Sequence, residues 1–282
     1  MNTEANRKTE WVVGIGEALW DILPEGRKIG GAPANFAYHM SQFGLRSCAV
    51  SAVGDDEAGR ELRNQLREKG VGHMLETVPF PTGTVEVTLD GAGIPSYEIR
   101  QGVAWDNIPF TPQIEELARH TRAACFGSLA QRSPVSHRTI GRFLETMPDG
   151  EGQYKVFDIN LRQHFYTQQV VEESLRKCNI LKINDEELAV IGGMFGMEGM
   201  QPREQCRTLL DRYGLRIVIL TCGAAGSSVF APGTRSYIPT PRVEVADTVG
   251  AGDSFTASFL AALLSGLGIG EAHRLAVDVA AH

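Results

Sequence analysis

The sequence predicts an α/β fold: a three-layer sandwich with a mostly parallel central sheet and a small inserted β element. Three observations predict it. Runs such as WVVGIG (11–16) and RIVILTCG (216–223) are apolar and β-branched, as strands covered on both faces are. Segments of helical period separate them, as crossovers between parallel strands require. Between about 80 and 105 the texture changes: TGTVEVTLD and PSYEIR alternate around DGAGIP, the strongest hairpin signal in the chain.

Residues 1–10, polar and mixed in charge, read as a frayed tail. After strand 11–16, ANFAYHMSQFG (34–44) reads as a helix stopped by Gly44. RSCAVSAVG (46–54) is a strand, and EAGRELRNQLREKG (57–70) is an exposed amphipathic helix ended by Gly70. Beyond the hairpin the alternation resumes. Strand AACFGS (123–128) precedes helix VSHRTIGRFLETM, and strand YKVFDINL (154–161) precedes a helix around VVEESLRKC. Strand ILKIN (180–184) is followed by helices DEELAVIG and REQCRTLLDRYG, then strand 216–223. SSVFAP and SYIPT form a second hairpin before a long helix from Gly252, and EAHRLAVDVAAH keeps a helical pattern to the last residue. A parallel sheet of this kind binds ligands beyond the carboxyl ends of its strands. Residues 11–282 read as one domain, with the inserted β element at about 80–105.

A chain of 282 residues, 43% hydrophobic, can bury a sizeable core. A net charge of −7 supplies no basic field for nucleic acid or acidic membranes, so a small-molecule partner is expected. Five cysteines without a CxxC pair or a histidine cluster read as reduced thiols of a cytoplasmic protein. The first residues match neither a signal peptide nor a membrane anchor, and no apolar run reaches the roughly 18 residues of a span.

GxxxxGK[ST], HExxH and GxSxG are absent, and the Gly14-Ile-Gly16 pair lacks the third glycine of a dinucleotide fingerprint, where Leu19 stands. DTVGAGDSFTASFL (247–260) is the informative stretch. Gly250, Ala251 and Gly252 open a helix, where free N–H groups and the macrodipole favour an anion. Asp253 follows, itself an anion. One explanation is a cap or first-turn charge, worth about 1 kcal/mol. The other is chemical: the N–H groups hold charge developing on a transferred phosphoryl, and Asp253 takes the proton of the attacking hydroxyl.

DTVGAGDSF resembles the C-terminal signature of the ribokinase-like (phosphofructokinase B type) carbohydrate kinases. IGGAPANFAYHMSQFG (29–44) resembles their N-terminal sugar-binding motif, and GEALWDILP (16–24) resembles the first strand and loop of bacterial fructokinases. The resemblance spans residue 11 to the C-terminus. It implies ATP and Mg²⁺ as cofactors and a sugar as acceptor. It places Asp21, Gly30, Gly31 and Asn35 on the sugar, with Arg162 of FDINLR reaching a sugar hydroxyl or a phosphate and Asp158 and Asn160 behind it. Gln131 joins the sugar side, with Gly127 and Arg132 as weaker candidates. Thr221, Gly223 and Gly226 of TCGAAG, with Asn184, face the nucleotide. Glu187 of NDEE supports Mg²⁺ through water, and Asp247-Thr248 resembles a K⁺ site. The ordinary alternatives are turns, a helix cap at Asn184, a surface role for Arg162, and apolar packing for Tyr97 and Trp105. The resemblance also implies that the inserted β element, mainly 80–105 and joined by part of 17–30, forms a lid over the sugar, and that a homodimer assembles through it.

Family members that act on ribose carry a lysine after the paired glycines. GGAPAN has Ala32 and Pro33 there, and no cluster of basic residues awaits a phosphorylated sugar, so free fructose is the expected substrate. Ribose, 2-keto-3-deoxygluconate or a nucleoside remain alternatives within the class. A non-catalytic sugar- or nucleotide-binding regulator on the same fold is the alternative outside it. The chain stops at VDVAAH, where the family continues, so its C-terminal segment reads as missing.

Overall fold

The computed structural model describes residues 10–23, 26–89, 95–241 and 250–281, without the side chains of 87–89 and 95–97. The tail 1–9, the lid turn at 90–94, the Tyr97 side chain and Asp247-Thr248 lie outside the described residues. The chain divides into two compact units, one of residues to 121 and 130–148, the other of 122–129 and 149–282.

In the first unit, β1 (Trp11–Ile15), β4 (Ser47–Gly54) and β5 (Gly72–Val78) are parallel neighbours in that order. All eight residues of β4 are buried, which is why its sequence is a continuous run of small and branched side chains. Helices α1 (Ala32–Gln42) and α2 (Glu57–Glu68) supply the crossovers. Ala34 and Ala37 of α1 and Leu62 and Leu66 of α2 share a core with Trp20, Ala49 and Val53. Asp56 starts α2: its carboxylate accepts Gly59 N–H at 2.7 Å and also takes Thr82 N–H at 2.8 Å, which ties the helix start to the segment that leads into Gly83.

A separate four-stranded sheet has the order β3-β2-β6-β7, with β2 (Leu19–Leu23), β3 (Gly26–Gly30), β6 (Gly83–Leu89) and β7 (Pro95–Ile99). The β2–β3 and β6–β7 pairs are antiparallel, and β2 runs parallel to β6. The indole Nε1–H of Trp20, on β2, donates to Ala58 O at 3.0 Å, which anchors this sheet to α2. Helices α3 (Pro112–Arg119) and α4 (Pro134–Thr146) complete the unit.

In the second unit, β8 (Thr121–Phe126), β9 (Tyr154–Asp158), β10 (Ile180–Asn184) and β11 (Ile217–Thr221) are parallel. The hairpin of β12 (Ser227–Ala231) and β13 (Thr234–Ile238) continues the order antiparallel from β11. Helices α5 (Gln168–Lys177), α6 (Asp185–Met194) and α7 (Pro202–Tyr213) alternate with these strands. Helix α8 (Ala251–Leu264) is buried without a break from Ser254 to Ala262, so its apolar sequence has no solvent stripe. It packs on α9 (Ile269–Ala280).

β9 is shorter than the expected strand 154–161. It ends at Asp158, and Asn160 and Gln163 take left-handed backbone, with φ of 44° and 49°. No described helix is long and apolar enough to cross a membrane.

Candidate active site

In the first unit the sugar-side candidates gather where the β2–β3 hairpin runs into α1. The register sets Leu19 opposite Gly30 and Asp21 opposite Lys28. Asp21 therefore sits diagonal to Gly30 on the same face. A side chain on Gly30 would collide with the Asp21 carboxylate. Gly31 follows as the N-cap of α1, and its carbonyl accepts Asn35 N–H at 2.9 Å. Asp21 and Asn35 are both half-buried. A carboxylate, an amide and open backbone at one helix start can donate to and accept from several hydroxyls.

Gln131 and Arg132 belong to the same unit but are engaged elsewhere. Gln131 is buried, and its Oε1 lies 3.0 Å from His137 Nδ1. The Arg132 guanidinium grips Asp106 at 2.8 and 3.0 Å, donates to Arg100 O at 2.6 Å, and lies over the Trp105 ring. Arg132, a weak sugar-side candidate by sequence, thus forms a buried ion pair within the unit, and Trp105 is core.

The second unit holds the phosphoryl-side candidates. Gly250 is the N-cap of α8, with a left-handed φ of 86°. A residue with a β-carbon is strained there, so the sequence needs glycine to turn into the helix. Asp253 stands half-buried in the first turn. A β-carbon on Gly252 would lie 3.1 Å from the ammonium nitrogen of Lys182. Lys182 is on β10, and its Nζ donates to Asp158 Oδ1, on β9, at 3.1 Å. Asp158 Oδ2 faces the Thr256 hydroxyl at 2.9 Å, and that hydroxyl also lies 3.0 Å from Gly252 O.

Burial pulls the Lys182 ammonium toward its neutral form, but Asp158, Glu187 and Asp253 outweigh it and hold the pKa above the ordinary lysine value. Glu187 moves up as well. Its burial, helped by Asp158, exceeds the downward pull of two backbone N–H groups and Lys182.

Asn184 caps α6: its Oδ1 accepts Glu187 N–H at 2.7 Å, while Glu187 Oε2 accepts Asn184 N–H at 2.9 Å. The other oxygen, Glu187 Oε1, accepts Leu161 N–H at 3.0 Å and so fixes the loop that carries Arg162. Each Glu187 oxygen keeps a lone pair beyond its N–H bond, which suits contact with a metal-bound water. Arg162 is exposed and donates to its own neighbour, Leu161 O, at 3.2 Å. Asn184 and Thr221 are register partners at the carboxyl ends of β10 and β11. Gly223 and Gly226 close the turn that follows, where Cys222 N–H donates to Gly226 O at 2.8 Å.

Sequence reasoning missed Lys182 and Thr256. The signal was available in ILKIN: a lysine inside an apolar strand is rarely buried without an acid, and one strand over stands FDIN.

A helix start that presents N–H groups and a carboxylate together suits transfer of a phosphoryl group to a hydroxyl, and the chain is a phosphotransferase with an alcohol acceptor. It belongs to the pfkB family of carbohydrate kinases, whose pattern matches residues 25–282. The fold is the ribokinase-like fold of sugar kinases. A fructokinase of Klebsiella pneumoniae is 31% identical over 90% of this chain and 83% of its own. The aminoimidazole riboside kinase of Salmonella typhimurium is 26% identical over 89% of this chain and 79% of its own. A sugar kinase of Pyrococcus horikoshii, solved in complex with ATP, superimposes with a TM-score of 0.78 at 26% identity, covering 96% of this chain and 91% of that one.

Proposed function

We propose that the chain transfers the γ-phosphoryl of Mg·ATP to a hydroxyl of free fructose, with Asp253 as general base. One observation carries this reading: Asp253 lies in the first turn of a helix that begins on a left-handed glycine, so a proton acceptor shares one place with N–H groups that the helix itself does not use. The backbone at Gly250, Ala251 and Gly252 stabilises charge on the transferred group. Asp253 accepts the proton as the hydroxyl attacks.

Asp21, Gly30, Gly31 and Asn35 hold the sugar, assisted by Gln131 and by Arg162. Thr221, Gly223, Gly226 and Asn184 hold the nucleotide. Glu187 orients a water on the magnesium that arrives with ATP. Support for fructose comes from GGAPAN and from the 31% identity to a fructokinase. The riboside kinase likeness supports a nucleoside as the second substrate to try. A homodimer through the four-stranded sheet belongs to the same proposal, and Ile22, exposed on β2, is a candidate contact.

The test is ADP release from Mg·ATP with fructose, ribose, aminoimidazole riboside and 2-keto-3-deoxygluconate offered separately, beside a blank without sugar. Release with fructose supports the full reading. Release with another acceptor keeps the chemistry and replaces fructose. Silence with every acceptor, from protein that melts cooperatively, rejects the proposed substrate range.

A further inference from the structure

Lys182 is a cation in a place that is costly for one. Its strand neighbours Leu181 and Ile183 are fully buried, and the lysine itself is 9% exposed. Removing an ammonium from water costs several kcal/mol before any partner repays it. Asp158 provides a partner, but the position adds a second penalty. The ammonium lies against Gly252, in the first turn of α8, with no side chain between them. A helix N-terminus is the positive end of its dipole, so a cation beside it is repelled. That repulsion is relieved when an anion occupies the same end.

We propose that Lys182 is a positioning residue for phosphoryl transfer, its buried ammonium lending positive charge to the backbone N–H groups of the α8 start. The inference rests on the kinase reading. Three carboxylates act electrostatically on the ammonium: Asp158 from β9, Glu187 from α6 and Asp253 from α8. Asp158 holds it by a direct bond. Thr256 completes the mounting. Its hydroxyl lies within bonding distance of both Asp158 Oδ2, at 2.9 Å, and Gly252 O, at 3.0 Å, so the acid that fixes Lys182 adjoins the turn that Lys182 supports. Glycine at 252 lets the charge reach the backbone. Lys182 touches no substrate and acts through the turn.

The test separates charge from folding. Lys182→Met removes the ammonium and strands Asp158, so it lowers Tm. Adding Asp158→Asn in the same chain removes the stranded charge and restores Tm. Mg·ADP and Mg·AMP-PNP binding are measured by calorimetry in wild type and in both variants. The expected result is Mg·ADP affinity within about threefold of wild type and Mg·AMP-PNP affinity reduced about tenfold or more, in the double variant as well as the single. The kcat for ADP release falls alongside, with the sugar KM unchanged.

Recovery of the AMP-PNP preference together with Tm in the double variant would show that Lys182 only balances Asp158, and overturns the proposal. So does a folded Lys182→Met chain with wild-type nucleotide preference. Wild-type protein that binds neither nucleotide overturns the kinase reading first and the Lys182 role with it.

Discussion

The Asp21 carboxylate leans across the β2–β3 hairpin onto Gly30, so closely that the glycine has no room for a β-carbon. The acid and the glycine act as one shape: Gly30 leaves the space and Asp21 fills it with oxygen. Gly30→Ala must push the carboxylate aside. The expected outcome is a rise of about tenfold in sugar KM, with Mg·ATP affinity unchanged because the nucleotide-side residues are in the other unit. Steady-state kinetics with each substrate varied in turn checks it. An equal loss for both substrates would contradict the assignment of Asp21 to the sugar.

Asp253→Asn keeps the size of the side chain and removes its basicity. General-base catalysis contributes about 10²- to 10⁴-fold, so kcat should fall by that factor while ATP and sugar still bind. Calorimetry for binding and ADP release for turnover decide it. Turnover close to wild type would remove Asp253 from the role of base.

Gly250→Ala places a β-carbon at a φ of 86°. The left-handed region costs a non-glycine residue about 1–2 kcal/mol, so a matching loss in urea-unfolding free energy is expected. Because the strained residue opens the anion-binding turn, kcat should drop by more than stability alone explains. Unchanged stability and turnover together would show that the turn relaxes without consequence.

His273 gives the chain an acid-side stability limit. It is fully buried on α9, with Nε2 2.8 Å from the Ser227 hydroxyl and Nδ1 2.8 Å from the Ser236 hydroxyl. Burial, aided by Arg274, lowers its pKa to about 4 from 6.5. The folded state thus keeps it neutral while the unfolded chain takes up a proton as pH falls. Its contribution is fully present above pH 6.5 and is lost progressively toward pH 4. Between pH 6.5 and 5 the loss is about 2 kcal/mol. Urea titrations across that window should show this slope in wild type and a shallower one in His273→Gln.

The Arg132–Asp106 pair has side chains only 7% and 8% exposed. Breaking a buried pair from one side leaves an uncompensated charge and typically costs about 3–5 kcal/mol. Arg132→Met should therefore lower Tm sharply. Any change in sugar KM should be small, since this guanidinium is spent on Asp106, Arg100 O and the Trp105 face. A large KM effect with an unchanged melt would return Arg132 to the sugar.

Much of this was legible in the residue order. A strand buried on both faces reads as a mostly apolar run, so β1, β4, β8, β10 and β11 announced themselves, Lys182 in β10 being the polar exception with a buried partner. β5 did not. GHMLETV is mixed in polarity, its burial is partial, and only its register with β4 makes it a strand. β2 and β3 were equally quiet: Trp20 of β2 packs into the core, but Gly26, Arg27 and Lys28 of β3 are exposed and leave no apolar pattern to read. The end of β9 was overrun by three residues, since the left-handed turn at Asn160 falls on a residue type that permits but does not demand it.

The sequence by itself determined the α/β order, the β6–β7 hairpin, the glycine-opened helix with Asp253 and the kinase class. The first three rest on local chemistry, namely hydrophobic period, turn residues and the backbone freedom of glycine, and the class rests on the resemblance of DTVGAGDSF and IGGAPANFAYHMSQFG to a known family. Only the tertiary structure decided that Lys182 is a buried cation against the start of α8, that Arg132 serves Asp106, and that Asp21 fills the space left by Gly30. Those relations join residues far apart in the chain or across a hairpin. Burial fixes the partner of a charge, and burial is a property of the packed fold.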